Sequence, residues 1–144
     1  MFDGNDTTVS AVYVNPDLWP KFASRLLPNI EKMAANSGGR YDTTDILACI
    51  WQQKMQAWVA MEGASILCLM LTEIINYPQC RALRCVAIVG HRPRRWMYLL
   101  EHIEMIARTH LGCTLMEALH TPGHERLLKT GGWQPFHILS EKQL

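Results

Sequence analysis

Three arginines, two glutamates and two histidines are the residues of this chain whose types and spacing are suited to chemistry. Arg92, Arg94 and Arg95 stand together in His91-Arg92-Pro93-Arg94-Arg95, directly ahead of a stretch with helical periodicity. Guanidiniums beside a helix start can hold phosphates; the alternative is a solvated loop, or a patch that pairs with acidic residues of another chain. Glu73 and Glu117 each fall in an apolar, strand-like run, where a carboxylate either takes a proton or closes a salt bridge. His120 and His124 flank the turn Thr121-Pro122-Gly123. Their spacing is that of a helical metal pair, but Pro122 lies between them and breaks the shared face, so no metal site is expected. The five cysteines, Cys49, Cys68, Cys80, Cys85 and Cys113, contain no Cys-x-x-Cys and sit mostly in apolar runs. They read as buried thiols of a reducing compartment, the cytoplasm. No nucleophile elbow, Walker loop or dinucleotide fingerprint is present.

The elements that must position these residues are clearest between Arg81 and Trp133. Ala82 to Val89 is a short β-type run that Gly90 stops. After the basic loop, Trp96, Leu99, Leu100, Ile103, Ile106 and Ala107 recur at three- and four-residue intervals, one apolar stripe on a helix that Gly112 closes. Cys113 to Leu119 reads as a buried strand, and strand, helix, strand implies a right-handed crossover in a parallel pair. Thr121 as cap and Pro122 in the first turn then start a short helix, with Leu127 and Leu128 facing inward and Gly131-Gly132 ending it. Phe136, Ile138 and Leu139 suggest one or two closing strands within 133–144.

Upstream, residues 1–7 are polar and read as a loose tip without the features of a signal peptide. Val9 to Val14 is a first strand, closed by Asn15-Pro16. A helical pattern from Asp17 to Asn36 contains Pro28, which predicts a break or two helices. Thr43 or Thr44 caps the next helix. Gln56 to Met61 and Ile66 to Ile74 are strands, joined by the turn Glu62-Gly63-Ala64-Ser65. The whole reads as one α/β domain over 1–144: a mixed, mostly antiparallel sheet with one parallel β-α-β crossover and helices on both faces. With 14 Lys+Arg against 13 Asp+Glu, no global field favours nucleic acid or an anionic membrane, and the longest apolar run, Ile66 to Leu71, is too short to cross a bilayer.

This order of elements, with the block Leu83 to Leu119 and the ending Arg126-Leu127-Leu128-Lys129-Thr130-Gly131-Gly132-Trp133, resembles the GNAT acyltransferase superfamily over about residues 8 to 144. The resemblance implies acetyl-CoA slotted between two splayed parallel strands, here Val86-Ile88 and Leu115-Glu117, with its pyrophosphate at the start of the crossover helix. Val86, Ile88, Gly90, Arg92, Arg94 and Arg95 are then the cofactor-binding candidates, and Glu73, with Glu117 second, the base that takes the amine proton. His120 and His124 lie where an acid or base could reach a thioester.

Several positions depart from the family pattern. Its loop carries small residues that let backbone touch phosphate, whereas here His91, Arg94 and Trp96 occupy the three motif positions and Pro93 removes an amide. Losing two hydrogen bonds of roughly 1.5–3 kcal/mol each weakens a ligand by about two to four decades. Trp96 itself reads as a core anchor rather than a stacking platform. The family's Asn after its fifth strand and thiolate-protonating Tyr in its last helix correspond to Thr121 and Leu128. The pattern is similar to GNAT-like proteins of tailed bacteriophages, some of them virion components. The expectation is therefore a non-catalytic module that binds other protein chains in a homo- or hetero-oligomeric assembly, phage virion included; the alternative is an acetyl-CoA-dependent N-acetyltransferase with an arginine-based phosphate site.

Overall fold

The computed structural model describes residues 9–91 and 93–144, and the backbone alone of Pro93, Arg94 and Trp96. Its elements are β1 (Val9–Tyr13), α1 (Trp19–Ala35), α2 (Thr43–Trp51), β2 (Gln56–Glu62), β3 (Ser65–Asn76), β4 (Arg81–Gly90), α3 (Pro93–Thr109), β5 (Leu115–Ala118), one 3-10 turn (Pro122–His124) and α4 (Glu125–Thr130). One five-stranded sheet runs in the order β1-β2-β3-β4-β5. The first four strands pair antiparallel and β4 pairs parallel with β5, as the α/β reading of the sequence expects.

The central strands have both faces covered, which is why they read as unbroken apolar runs. On β2 and β3, Trp58, Ala60, Cys68 and Met70 turn to the face where Leu99, Leu100 and Ile103 of α3 and Leu128 of α4 pack. Val59, Leu69 and Leu71 alternate to the other face, against Phe22, Leu26, Ile30 and Met33 of α1 and Ile46 and Ile50 of α2. Thr72 is the one fully buried polar residue among those described. Its hydroxyl accepts from the Trp58 indole N–H at 2.9 Å and donates to Gln56 Oε1 at 2.9 Å, so its burial carries no orphaned group.

Several expectations are corrected. Pro28 does not break α1, which runs unbroken through it. Pro28 and Ser24, whose carbonyl loses its amide partner, both lie on the exposed side, where water replaces the bond, while Leu26 and Ile30 hold the inner face. The cap of α2 is Asp42, not Thr43 or Thr44. Its carboxylate accepts from the Asp45 N–H at 2.7 Å and Asp45 answers at the Asp42 N–H at 3.0 Å, a reciprocal capping box. The basic loop is shorter than expected, because α3 starts at Pro93. β5 is only four residues long and half-buried, with Leu115 and Leu119 exposed at its ends. The expected closing strands are absent from 133–144. Pro135 lacks a ladder donor, Trp133 packs back on the α3 face, and Phe136, Ile138 and Leu139 stand in solvent. A 2.8 Å ion pair from Glu141 to Arg40 ties this tail to the α1–α2 connection.

Candidate active site where two parallel strands part

β4 and β5 stay paired over only four positions, Ala82 with Leu115 through Cys85 with Ala118. The last bond between them runs from the Leu119 N–H to the Cys85 carbonyl at 2.9 Å. Beyond it they separate. The register of β4 on β3 slips between Leu71 and Thr72, which leaves Val86 as an extra residue without a partner. Such a bulge bends a strand and re-aims the residues after it. The expected gap is therefore displaced: Leu115 to Glu117 are still paired, and the opening lies between 86–90 and the segment from Leu119 onward. A cavity of about 30 Å³ occupies it. Cys85 and Ile88 of β4, Met97 and Leu100 of α3 and Leu128 of α4 form apolar walls, and His120 and His124 are its polar members.

The cofactor-binding candidates are distributed unevenly around this cavity. Ile88 borders it. Val86 packs toward the α1 and α2 side. Gly90 has a packing role of its own, since a Cβ there would overlap Cys68 and the Leu67 carbonyl. The same Leu67 carbonyl accepts the His91 N–H at 3.1 Å, so the end of β4 is pressed onto β3. Arg95 is ion-paired with Glu62 at the end of β2. Arg92 lies outside the described residues, as do the side chains of Arg94 and Trp96.

Glu73 and Glu117 come together, with Arg84 between them in one row across β3, β4 and β5. Arg84 lies 3.8 Å from Glu73 Oε1 and donates to Glu117 Oε2 at 3.2 Å. The Tyr77 hydroxyl donates to Glu117 Oε1 at 2.7 Å and accepts from Arg84 at 3.1 Å. That hydrogen bond to a carboxylate, followed by burial, raises the Tyr77 pKa. Burial works against the Arg84 charge, but the hydrogen bond and charge of Glu117 outweigh it and raise the pKa further. Both glutamates thus serve one guanidinium. The row is one register step from the last β4–β5 pair, on the face opposite Cys85 and Ala118, which pack toward α3.

Sequence reasoning missed Tyr77 and Arg84, because only strand register brings a turn tyrosine and an alternate β4 residue to Glu117. Burial pushes the Cys85 thiol up to about 12, so it borders the cavity as a protonated spectator rather than a nucleophile. All five cysteines are free thiols. Among the described residues no group of three or more potential ligands could hold a metal ion, and no helix is long and apolar enough to cross a membrane.

No family model and no curated protein matches the sequence. Solved structures do match the fold, over nearly the whole of both chains. A probable acetyltransferase superposes with a TM-score of 0.70 at 12% identity, covering 94% of this chain and 96% of the other. A predicted acetyltransferase from Clostridium acetobutylicum, solved with acetyl-CoA, gives 0.66 at 14% identity over 94% and 96%. A ribosomal-protein-alanine N-acetyltransferase from Brucella melitensis gives 0.65 at 13% identity over 94% and 97%. The chain therefore has the fold of the GNAT acetyltransferases, with a five-stranded mixed sheet that opens between its two parallel strands.

Proposed function

We propose that the chain is an acyl-CoA-dependent N-acyltransferase. The observation that carries this reading is the apolar cavity at the parting of β4 and β5, bordered by Met97 and Leu100 in the first half of α3. Its walls fit the thioester end of such a cofactor. Ile88, Met97 and Leu100 offer apolar contact that excludes water, and the unbranched thioether of Met97 can swing aside to enlarge a space that now admits little more than a water-sized group. At the phosphate end, Arg95 is engaged by Glu62 and the Gly90 backbone is pressed onto β3. The backbone N–H groups of the first turn of α3 after Pro93 have no partner within the helix and offer phosphates a place to bind. Bound acetyl-CoA would supply an activated acyl group. The Leu119–Cys85 bond fixes the apex of the opening, and the buried thiol below it stays protonated.

The test is thermal. Acetyl-CoA at a hundred times its dissociation constant adds about 2.7 kcal/mol, roughly 5–11 °C in Tm for a domain of this size. Thiol release with amine acceptors then reports transfer. A sisomicin-type aminoglycoside and a peptide with amino-terminal alanine are the first to try, because similar structures include an aminoglycoside acetyltransferase and the ribosomal-protein-alanine enzyme. A melting curve unmoved by millimolar acetyl-CoA overturns the proposal.

A second reading, a non-catalytic protein-interaction module, draws support from one observation. The tail beyond Trp133 exposes Phe136, Ile138 and Leu139 together, and contiguous apolar exposure of that kind marks contact surfaces. Sedimentation separates the two: a stable oligomer that dissociates on truncation at Trp133, with no response to acetyl-CoA, favours the module.

A further inference from the structure

The two carboxylates best placed by sequence are held by Arg84 and Tyr77, and Leu128 on α4 has no proton to give. The cavity nevertheless has two polar members, His120 and His124. Their settings differ. His120 is exposed and sits at the rim, whereas His124 is half-buried inside the 3-10 turn. The Nδ1 of His120 lies 2.7 Å from the Thr121 carbonyl oxygen. A carbonyl only accepts, so Nδ1 carries the hydrogen, and in the neutral ring the lone pair is on Nε2. The turn holds that geometry, because the same Thr121 carbonyl accepts the His124 backbone N–H at 3.0 Å.

We propose that His120 is the proton-transfer residue of this site, with Nε2 as the working atom. This inference rests on the acyl-CoA reading above. Starting from a free amine, His120 takes the proton that the amine nitrogen sheds as it bonds to the acyl carbon. His120 then passes that proton to the sulfur released when the carbon–sulfur bond breaks. One proton enters the ring and one leaves it, so the imidazole ends neutral and needs no further donor. The tautomer set by Thr121 presents Nε2 as acceptor first and donor second, which is what a single shuttling group requires. Among the described residues, the other titratable groups bordering the cavity are His124 on the turn and Cys85 on β4. The residues facing it from α3 and α4, namely Met97, Leu100, Leu127 and Leu128, carry no charge.

The deciding experiment follows histidine ring resonances against pH in the wild-type chain, with and without coenzyme A, His120 being assigned by sequential connectivity to Leu119 and Thr121. Coenzyme A is expected to move the His120 midpoint by at least half a pH unit and to leave His110, at the far end of α3, in place. In parallel, His120→Gln should keep the acetyl-CoA shift in Tm while thiol release with whichever amine reacts falls about a hundredfold or more. Added imidazole should restore part of the rate, and His110→Gln should behave as wild type. If acetyl-CoA still raises Tm but the His120 resonance ignores coenzyme A, or His120→Gln transfers at the wild-type rate, His120 is not the shuttle and the acyl-CoA reading stands without it. If neither ligand has any effect on Tm or on the resonances, both fall together. The resonance experiment uses the unaltered chain and no acceptor, so it decides even where the variant fails to fold.

Discussion

Raising the pH should destabilise this protein through two thiols that never meet base while it is folded. Burial pushes Cys68 and Cys85 from 9.0 up to about 12 each. Cys68 is fully enclosed and Cys85 nearly so, which removes the solvent screening that would otherwise shrink the effect. In the unfolded chain both ionise near the ordinary value, so above it the folded state binds more protons than the unfolded state. Stability is then complete below pH 9 and falls as pH climbs toward 12, by about 1.4 kcal/mol per thiol per pH unit. Between pH 8 and pH 10 the two together should remove roughly 3 kcal/mol, a large part of the 5–15 kcal/mol typical of a domain. Tyr13, raised by burial, and Tyr77, raised chiefly by its bond to Glu117, extend the decline above pH 10. Urea unfolding under reducing conditions at pH 8, 9 and 10, followed by tryptophan fluorescence, measures it. Cys68→Ala/Cys85→Ala should lower stability at pH 8 by a few kcal/mol at most, yet flatten the decline toward pH 10. A double variant that loses stability in parallel with wild type over that range would refute the argument, and with it the description of Cys85 as a protonated spectator beside the cavity.

Two further substitutions probe how the opening is built. Thr72→Val keeps the shape of the side chain but leaves the buried Trp58 indole N–H and Gln56 without their shared partner; a loss of about 1–3 kcal/mol in urea unfolding is expected, and an unchanged midpoint would mean that the network contributes nothing. Gly90→Ala drives a Cβ into Cys68 and the Leu67 carbonyl, backbone that has nowhere to move, and should cost about 1–3 kcal/mol; a neutral result in the same assay would show that β3 and β4 are not pressed together there.

Much of the fold was legible because the sheet is covered on both faces. β3 is a continuous apolar run, and Leu99, Leu100 and Ile103 of α3 mark one stripe, patterns that local periodicity records directly. The hidden features depended on partners distant in sequence or on the direction a face takes. The continuity of α1 through Pro28 turned on which side of the helix faces water. The cap of α2 went to Asp42 because its Asp45 partner completes a reciprocal box that Thr43 and Thr44 lack. The missing closing strands trace to Trp133 being drawn onto the α3 face and to Pro135 interrupting the apolar positions after it. Within the site, Ile88, His120 and His124 were legible as neighbours of the opening. The bulge at Val86 and the capture of Glu73 and Glu117 by Arg84 were not, since both are facts of register.

The opening between β4 and β5 arises from three local constraints acting in opposite directions. At its upper end β4 is bound to β3, where Gly90 admits the β3 backbone and the His91 N–H reaches the bulged Leu67 carbonyl. It therefore cannot follow β5. The extra residue Val86 changes the direction of β4 just past the last shared bond. β5, for its part, is drawn away after Leu119, because the 3-10 turn at Pro122 leads into α4 and buries Leu128 against α3. None of these devices needs a ligand to hold it. The parting of the strands is thus set by the protein's own packing, whereas the small space between them widens for a ligand only as Met97 swings aside. The opening is therefore independent of the residue types in the loop that precedes α3: it depends on Val86, Gly90 and Leu128.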